Sequence, residues 1–416
     1  MNGINAMRDF ELLVAPTQSS TSIIIKILRQ PVTEHFTEQG NLEIAIIADP
    51  LPLAEWFAAN WWRLRWEPEK ENLTKEQQLD WDLSHKLTAT GSGYIWPDIR
   101  FASDDFSIHC TAQKTFGQYA TIRFSRQLNE WLDAENFEAG VDRFVAEIAK
   151  TVSQSNLSVL WQELLEERND STATDWRKIE AKAGYDPDEA PHELIEGLQK
   201  LYNYFGKTSV EELSSENHRV SVLDIANSLL SGLSESQHTI TPDLTGLQQP
   251  TAGADMAPWK QAAKAAAQVR KKLGIKDASR LSNELLLDYL SLDRSIFNQK
   301  RLTQLATAGL KKEHMATTIL LSPARETTQR FALARLLGDC IFTLNQDDKR
   351  LLSVTSSKTS RQKFQRAFAQ ELLCPYEGLL EVMDTDHPNE ENLEKMAEHY
   401  QVSPLVIGYT FENKYI

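Results

Sequence analysis

The sequence predicts a helix-rich α+β protein in several parts, and three observations carry that prediction. Runs of β-branched residues alternate with polar turns between residues 20 and 125. Helical periods take over from residue 125 onward. A stretch rich in Ser, Thr, Pro, Gly and Gln, without any period, interrupts those helices at residues 234–257. The expected division is an N-terminal α+β domain over 1–155, an all-α connector over 156–233, a linker over 234–257 and a C-terminal domain over 258–416.

In chain order, residues 22–28 and 42–47 read as strands separated by a Gly-containing turn. Residues 52–66 read as one helix with Pro52 in its first turn, because apolar positions 53, 56, 57, 61 and 64 fall on one face. Strands are expected again at 94–101, 106–110 and 120–124, bounded by the turn signals Gly91-Ser92-Gly93 and Ser103-Asp104-Asp105. A helix follows at 138–152, then four more at 157–168, 174–183, 190–205 and 220–230, with Gly184 and Asp186-Pro187-Asp188 as stops. Beyond the linker, Pro258-Trp259 opens a helix that ends at Gly274, 281–290 forms another, and 301–322 supplies short strands.

The chain has 416 residues and a net charge of −15, spread unevenly. Residues 1–257 carry −19, residues 258–366 carry +12 and residues 367–416 carry −8. An acidic chain is a poor non-specific binder of nucleic acid, so the basic block is read first as facing the protein's own acidic half. Lys271, Lys272, Lys311, Lys312, Arg361 and Lys363 are the residues that would serve DNA or RNA if it does not. Cys110, Cys340 and Cys374 have no metal-type spacing and make no even disulfide set, which suits a reducing cytoplasm. The first residues lack a basic stretch followed by an apolar core, and no run of about 18 apolar residues occurs, so neither a signal peptide nor a membrane span is expected.

Two stretches near the C-terminus organise the rest. They are Arg330-Phe331-Ala332-Leu333-Ala334-Arg335-Leu336-Leu337-Gly338-Asp339-Cys340 and Arg366-Ala367-Phe368-Ala369-Gln370-Glu371-Leu372-Leu373-Cys374-Pro375. Both read as helices, and together they resemble the active-site pair of the ImmA/IrrE family of bacterial zinc peptidases, R-F-x-x-A-H-E-x-G-H and E-A-N-x-F-A-x-E-L-L-x-P. The closing segment, residues 391–407, is similar to that family's last helix pair. Residues 52–62 are similar to a helix in the extension of its longer members, which also tend to carry R-F-A-L-A-R-x-L-G-D. The resemblance covers residues 258–416 most specifically. It implies a zincin-like peptidase fold and a cytoplasmic bacterial protein. It also implies a helix-turn-helix repressor or operon neighbour as partner, in a mobile-element, toxin–antitoxin or phage-defence setting.

The chemistry of that family is missing. Two His at i and i+4 bind one zinc from a single helix face while the Glu between them takes a proton from the bound water. Here Arg335 stands at the first His, Leu336 at the Glu, Asp339 at the second His and Phe364 at the third ligand. Arginine does not ligate a cation, leucine takes no proton and phenylalanine offers no lone pair. The expectation is therefore a zincin-like fold without metal or cofactor, in which Arg335 and Asp339, one turn apart, pair within a vestigial cleft lined by Phe331, Leu336, Phe364 and Phe368.

Three functions stay open at this point. The first is a pseudopeptidase that binds protein and acts as a regulator or sensor. The second is an enzyme with new chemistry at Arg335, Asp339 and Glu371, and the third is a nucleic-acid-contacting regulator using residues 258–366. The tryptophans Trp56, Trp61, Trp62 and Trp66 sit at core spacing in an acidic segment, which argues against base stacking. Trp62 and Trp66 are expected as the most exposed of them and so as candidate contacts for a protein partner. The nine His are scattered, and neither His109 nor His314 has partners at ligand spacing.

Overall fold

The computed structural model describes residues 9–16, 20–117, 120–152, 155–216, 222–250, 257–298, 307–311, 316–322, 324–344, 351–383 and 389–412. The α+β prediction holds, with helix (54%) well ahead of strand (16%) and the strands gathered in small antiparallel sheets. By contact the chain divides into two compact units, Met1–Ala190 and Pro191–Ile416.

The first unit opens with β1 (Phe10–Pro16), which the sequence reading missed, paired antiparallel with β2 (Thr21–Ile27) from Phe10 opposite Ile27 to Pro16 opposite Thr21. Ile23, Ile25 and Ile27 alternate inward, as a half-buried strand requires. Short strands follow: β3 (Gln30–Pro31), β4 (His35–Phe36), β5 (Leu42–Glu43) and β6 (Ile46–Ile47). The expected strand at 42–47 is thus two pieces in two sheets, β6 on β2 and β5 on β4.

The expected single helix of 52–66 is also two, α1 (Pro50–Ala59) and α2 (Trp61–Trp66). Asn60 makes the break: its amide side chain and its own N–H both bond the Trp56 carbonyl, so the backbone turns out of the helix there. Next comes α3 (Lys75–His85), opened by a Thr74/Gln77 capping box. It escaped the sequence reading because Leu79 and Leu83 are exposed and only Trp81, Ser84 and His85 are buried, which leaves no apolar stripe.

A second sheet orders β10-β8-β7, from β7 (Asp98–Ser103), β8 (Ser107–Gln113) and β10 (Leu128–Asp133), while β9 (Arg123–Phe124) joins β4. β10 lies where helix was expected to begin. α4 (Ala134–Thr151), α5 (Asn156–Asn169) and α6 (Ser171–Ala183) follow, each started by a side-chain cap, from Asp133, Ser155 and Asp170. The core holds a cluster of phenylalanines, with the Phe10 ring 4.9 Å from Phe137, 5.8 Å from Phe101 and 6.2 Å from Phe57. Leu157, Leu164 and Ala181 belong to the same core, so the first two helices of the expected connector pack with the N-terminal unit.

The second unit begins with α7 (His192–Phe205), α8 (Lys207–Ser214) and α9 (Val222–Glu235). The expected linker contributes β11 (Thr239–Ile240) and buries Leu244 and Leu247, so part of it is built into the fold. After α10 (Pro258–Lys272) and α11 (Asn283–Leu290) come β12 (Thr307–Lys311) and β13 (Thr317–Leu320), then α12 (Glu326–Phe342), β14 (Leu351–Val354) and α13 (Ser360–Leu373). The last helices are α14 (Tyr376–Met383), α15 (Glu390–Tyr400) and α16 (Pro404–Glu412).

The four-stranded sheet runs β11-β13-β12-β14, all antiparallel, which leaves β14 at one edge. α13 is the central helix: α10 packs on it through buried Ala262, Ala265, Ala266 and Val269, and α12 crosses it at Gly338. A Cβ at Gly338 would lie 3.0–3.2 Å from Phe368, so the residue sets how closely the two helices approach. Among the described residues no helix is long and apolar enough to cross a membrane.

Candidate functional site

The α12–α13 crossing brings Arg335 and Asp339 into one region, though with different partners. Asp339 is fully buried on α12, and both its carboxylate oxygens are gripped by Arg361 of α13, Nε to Oδ1 and Nη2 to Oδ2, each at 2.7 Å. Arg361 Nη2 also donates to the Leu351 carbonyl at 3.0 Å, and Asp339 Oδ2 accepts from the Ser353 N–H at 3.2 Å. One ion pair therefore ties α12, α13 and β14 together.

This corrects two expectations. Arg335 does not pair with Asp339, and Arg361 is no surface cation, being 3% exposed. The physical reason is geometric. An arginine one turn before an aspartate is the poor orientation of that pair on a helix. A planar guanidinium from a facing helix, in contrast, meets both carboxylate oxygens in parallel.

Arg335 lies beside the pair and half-buried. Its Nη2 donates to the Thr355 carbonyl at 2.7 Å and to Gln362 Oε1 at 2.5 Å, while its Nε is buried without a hydrogen-bond partner. Burial first, and then the neighbouring Arg366, pull the guanidinium down to about 9, so it remains charged at neutral pH.

The free edge of β14 is closed from the same helices. Gln362 takes the Thr355 N–H on Oε1 (3.0 Å) and donates Nε2 to the Ser353 carbonyl (2.9 Å), which also receives Gln365 Nε2 (3.0 Å). Together with Asp339 and Arg361, with Arg335 on the Thr355 carbonyl and with Ser209 Oγ of α8 on the Leu351 N–H, these side chains hold the edge's N–H and C=O groups from Leu351 to Thr355. An open edge is a template for an added strand; this one is already satisfied. From α8, buried Glu212 accepts from Ser357 Oγ and Thr359 Oγ1, covering the loop that follows.

The remaining predicted residues fall as follows. Leu336 and Phe364 are buried, and the Phe364 ring lies 5.5 Å from Phe342 and 6.4 Å from Phe368, so both positions are core. Glu371 lies ten residues beyond Arg361 along α13, about 15 Å at helical rise, where its carboxylate accepts from the Tyr376 N–H. The structure does not bring it to Arg335 and Asp339.

Trp62 is buried, not exposed: it packs edge-on against Trp61 and donates Nε1 to Glu167 Oε2 at 2.8 Å. Trp66 is half-buried between the cations of Arg65 and Lys178, 3.8 and 4.0 Å from its ring. Within the basic block, Lys311 Nζ donates to the Thr343 carbonyl at 2.7 Å, Lys272 pairs with Asp243 at 3.0 Å, and Lys363 sits 5.9 Å from the Trp259 ring. Lys271 is exposed. Lys312, His314 and residues 347–350 lie outside the described residues.

A second charged cluster, in the first unit, was missed. Glu67 is buried at the end of α2 and accepts from Arg63 Nε at 2.7 Å and His85 Nε2 at 3.0 Å, with Lys70 Nζ at 3.4 Å. His85 stacks on Trp81 at 4.1 Å, and its Nδ1 bonds the Phe101 carbonyl at 2.8 Å. Burial alone would raise the Glu67 carboxyl; Lys70, His85 and Arg63 outweigh it and hold the group well below its usual value. The signal was present in the sequence: Arg63 and Glu67 are i,i+4 partners on a helix whose neighbours are tryptophans, and a charge set among large apolar residues asks for a buried counter-charge.

Among the described residues no three His, Cys, Asp or Glu side chains come together as a metal site. The three cysteines are free and buried, and burial pushes the Cys340 thiol up to about 12. Comparison of the chain with protein-family models, with curated proteins and with solved structures finds no match.

Proposed function

We propose that the protein is a catalytically silent, protein-binding regulator or sensor built on an ImmA/IrrE-like frame. The observation that supports it is the Asp339–Arg361 pair. A buried, bidentate ion pair occupies the helix crossing where the resemblance would put a metal, and its carboxylate is shut from solvent and already accepts three hydrogen bonds from the protein. With the β14 edge closed by Gln362 and Gln365, this region acts as a keystone, and binding belongs on the outer surface. The resemblance supplies the setting: a bacterial cytoplasm, a mobile-element, toxin–antitoxin or phage-defence locus, and a helix-turn-helix repressor or operon neighbour as partner.

Two measurements test this. The full chain, with and without added zinc, is incubated with denatured casein and with a mixed peptide library; no cleavage is expected. Cleavage that disappears in Arg335→Met, while the melting curve is unchanged, overturns the reading in favour of an enzyme. In the native host, a single stoichiometric protein complex is expected, and it should survive the double change Arg361→Met with Asp339→Leu. Its loss in that folded variant would return binding to the old cleft.

A further inference from the structure

The face of α15, the first turns of α11 and α12 and the turn before α16 enclose a groove of about 690 Å³ in the second unit. Four glutamates line it, in two classes. Glu326 is taken by Asn283 and by Arg294 at 3.5 Å, and Glu391 by Lys395 at 2.6 Å. Glu394 and Glu398 have no hydrogen-bond or ion-pair partner among the described residues. They stand one turn apart on the same face of α15, a mutually repulsive arrangement that a cation between them would relieve.

The floor beside them is apolar, formed by Ala397, Val402 and Pro404. Buried Arg330 closes one end, its Nη1 on Asn283 Oδ1 and its Nη2 on the Leu281 carbonyl, and its charge keeps a second cation away from that end. α16 starts at the groove's own Pro404 and leaves Leu405 and Tyr409, one turn apart, 69% and 52% exposed. A long basic side chain fits this plan, laying its methylenes on apolar surface and its charged head between carboxylates. The net −8 of residues 367–416 would draw such a segment in from a distance.

We infer that this groove binds a basic, extended segment of a partner protein, with an arginine or lysine head seated between Glu394 and Glu398. The inference deepens the protein-binding reading by naming the partner's chemistry, but it rests on the groove and leaves the α12–α13 crossing untouched.

The test uses the full chain and a short fluorescein-labelled peptide alternating arginine with leucine, read by fluorescence anisotropy at low and at physiological salt. Glu394→Gln with Glu398→Gln should weaken binding about tenfold, the size of two ion pairs lost together. Glu38→Gln with Glu163→Gln removes the same charge at exposed positions outside the groove and should leave binding unchanged. Equal losses in the two double variants would mean attraction to the net charge alone, and no loss in either would mean a different site; both overturn the inference. So does spermine competing as well as the unlabelled peptide, which would make this a polyamine site. An unchanged melting curve for the groove variant shows that the loss is not unfolding. Cleavage of casein by the wild type would sink the regulator reading without touching this result.

Discussion

Arg361 holds Asp339 across the α12–α13 crossing through two parallel 2.7 Å contacts, and neither side chain reaches solvent. That relationship decides how the region responds to change. Removing one partner strands the other's charge, which costs about 3–5 kcal/mol when burial is complete. Arg361→Ala and Asp339→Ala should each lose stability on that scale. The volume-keeping double change, Arg361→Met with Asp339→Leu, should lose much less, since no lone charge remains. Arg335→Met should cost on the order of 1 kcal/mol, because Arg335 is half-buried, has hydrogen bonds but no carboxylate, and is repelled by Arg366. Urea melts of the four variants check the order; an Arg335→Met loss as large as that of Arg361→Ala would contradict it.

Zinc is the second prediction. If, as the resemblance implies, Arg335, Leu336, Asp339 and Phe364 take the ligand and base positions, the purified chain should hold no stoichiometric zinc after mild chelation. Elemental analysis near one zinc per chain would mean that the alignment to the peptidase motif is out of register.

The acid limb of stability follows from Glu67. Its folded value lies below the ordinary 4.5, held there by Lys70, His85 and Arg63 against the cost of burial. A carboxyl depressed in the folded state adds stability that is present in full above the unfolded value and is lost as pH falls through the folded one. The wild type should therefore lose stability progressively below about pH 4.5. Glu67→Gln should be destabilised by about 3–5 kcal/mol at neutral pH and show a flatter acid limb. Chemical denaturation across roughly pH 3 to 7 reads both slopes, and parallel curves would rule out Glu67 as the cause.

Two glycines give opposite expectations. Gly338→Ala places a methyl 3.0–3.2 Å from Phe368 at a helix crossing and should cost about 1–3 kcal/mol. Gly408→Ala, inside α16 with nothing within 4 Å, should stabilise by about 0.5–1 kcal/mol through helix propensity alone. Thermal melts separate the two by sign.

Much of this architecture was legible in the sequence because helices and strands announce themselves locally. The inward alternation of Ile23, Ile25 and Ile27 and the stop at Gly184 are short-range facts, set by pleat geometry and backbone sterics. The break at Asn60 needed one more residue of attention, since its side chain competes for a carbonyl only four residues away. Helix α3 was illegible for a physical reason, having almost no buried face.

By itself the sequence determined the α+β class and most helix positions. Only the tertiary structure decided which charge meets which. Asp339 has an arginine four residues before it and another twenty-two after it, and sequence distance favours the first. Packing brings α13 against α12 at Gly338, so the planar fork of Arg361 arrives square to the carboxylate, while Arg335 is turned to Thr355 and Gln362. The burial of Trp62 and the gathering of Glu67, Lys70 and His85 have the same origin: they depend on which distant elements come to lie against them, and no local period encodes that.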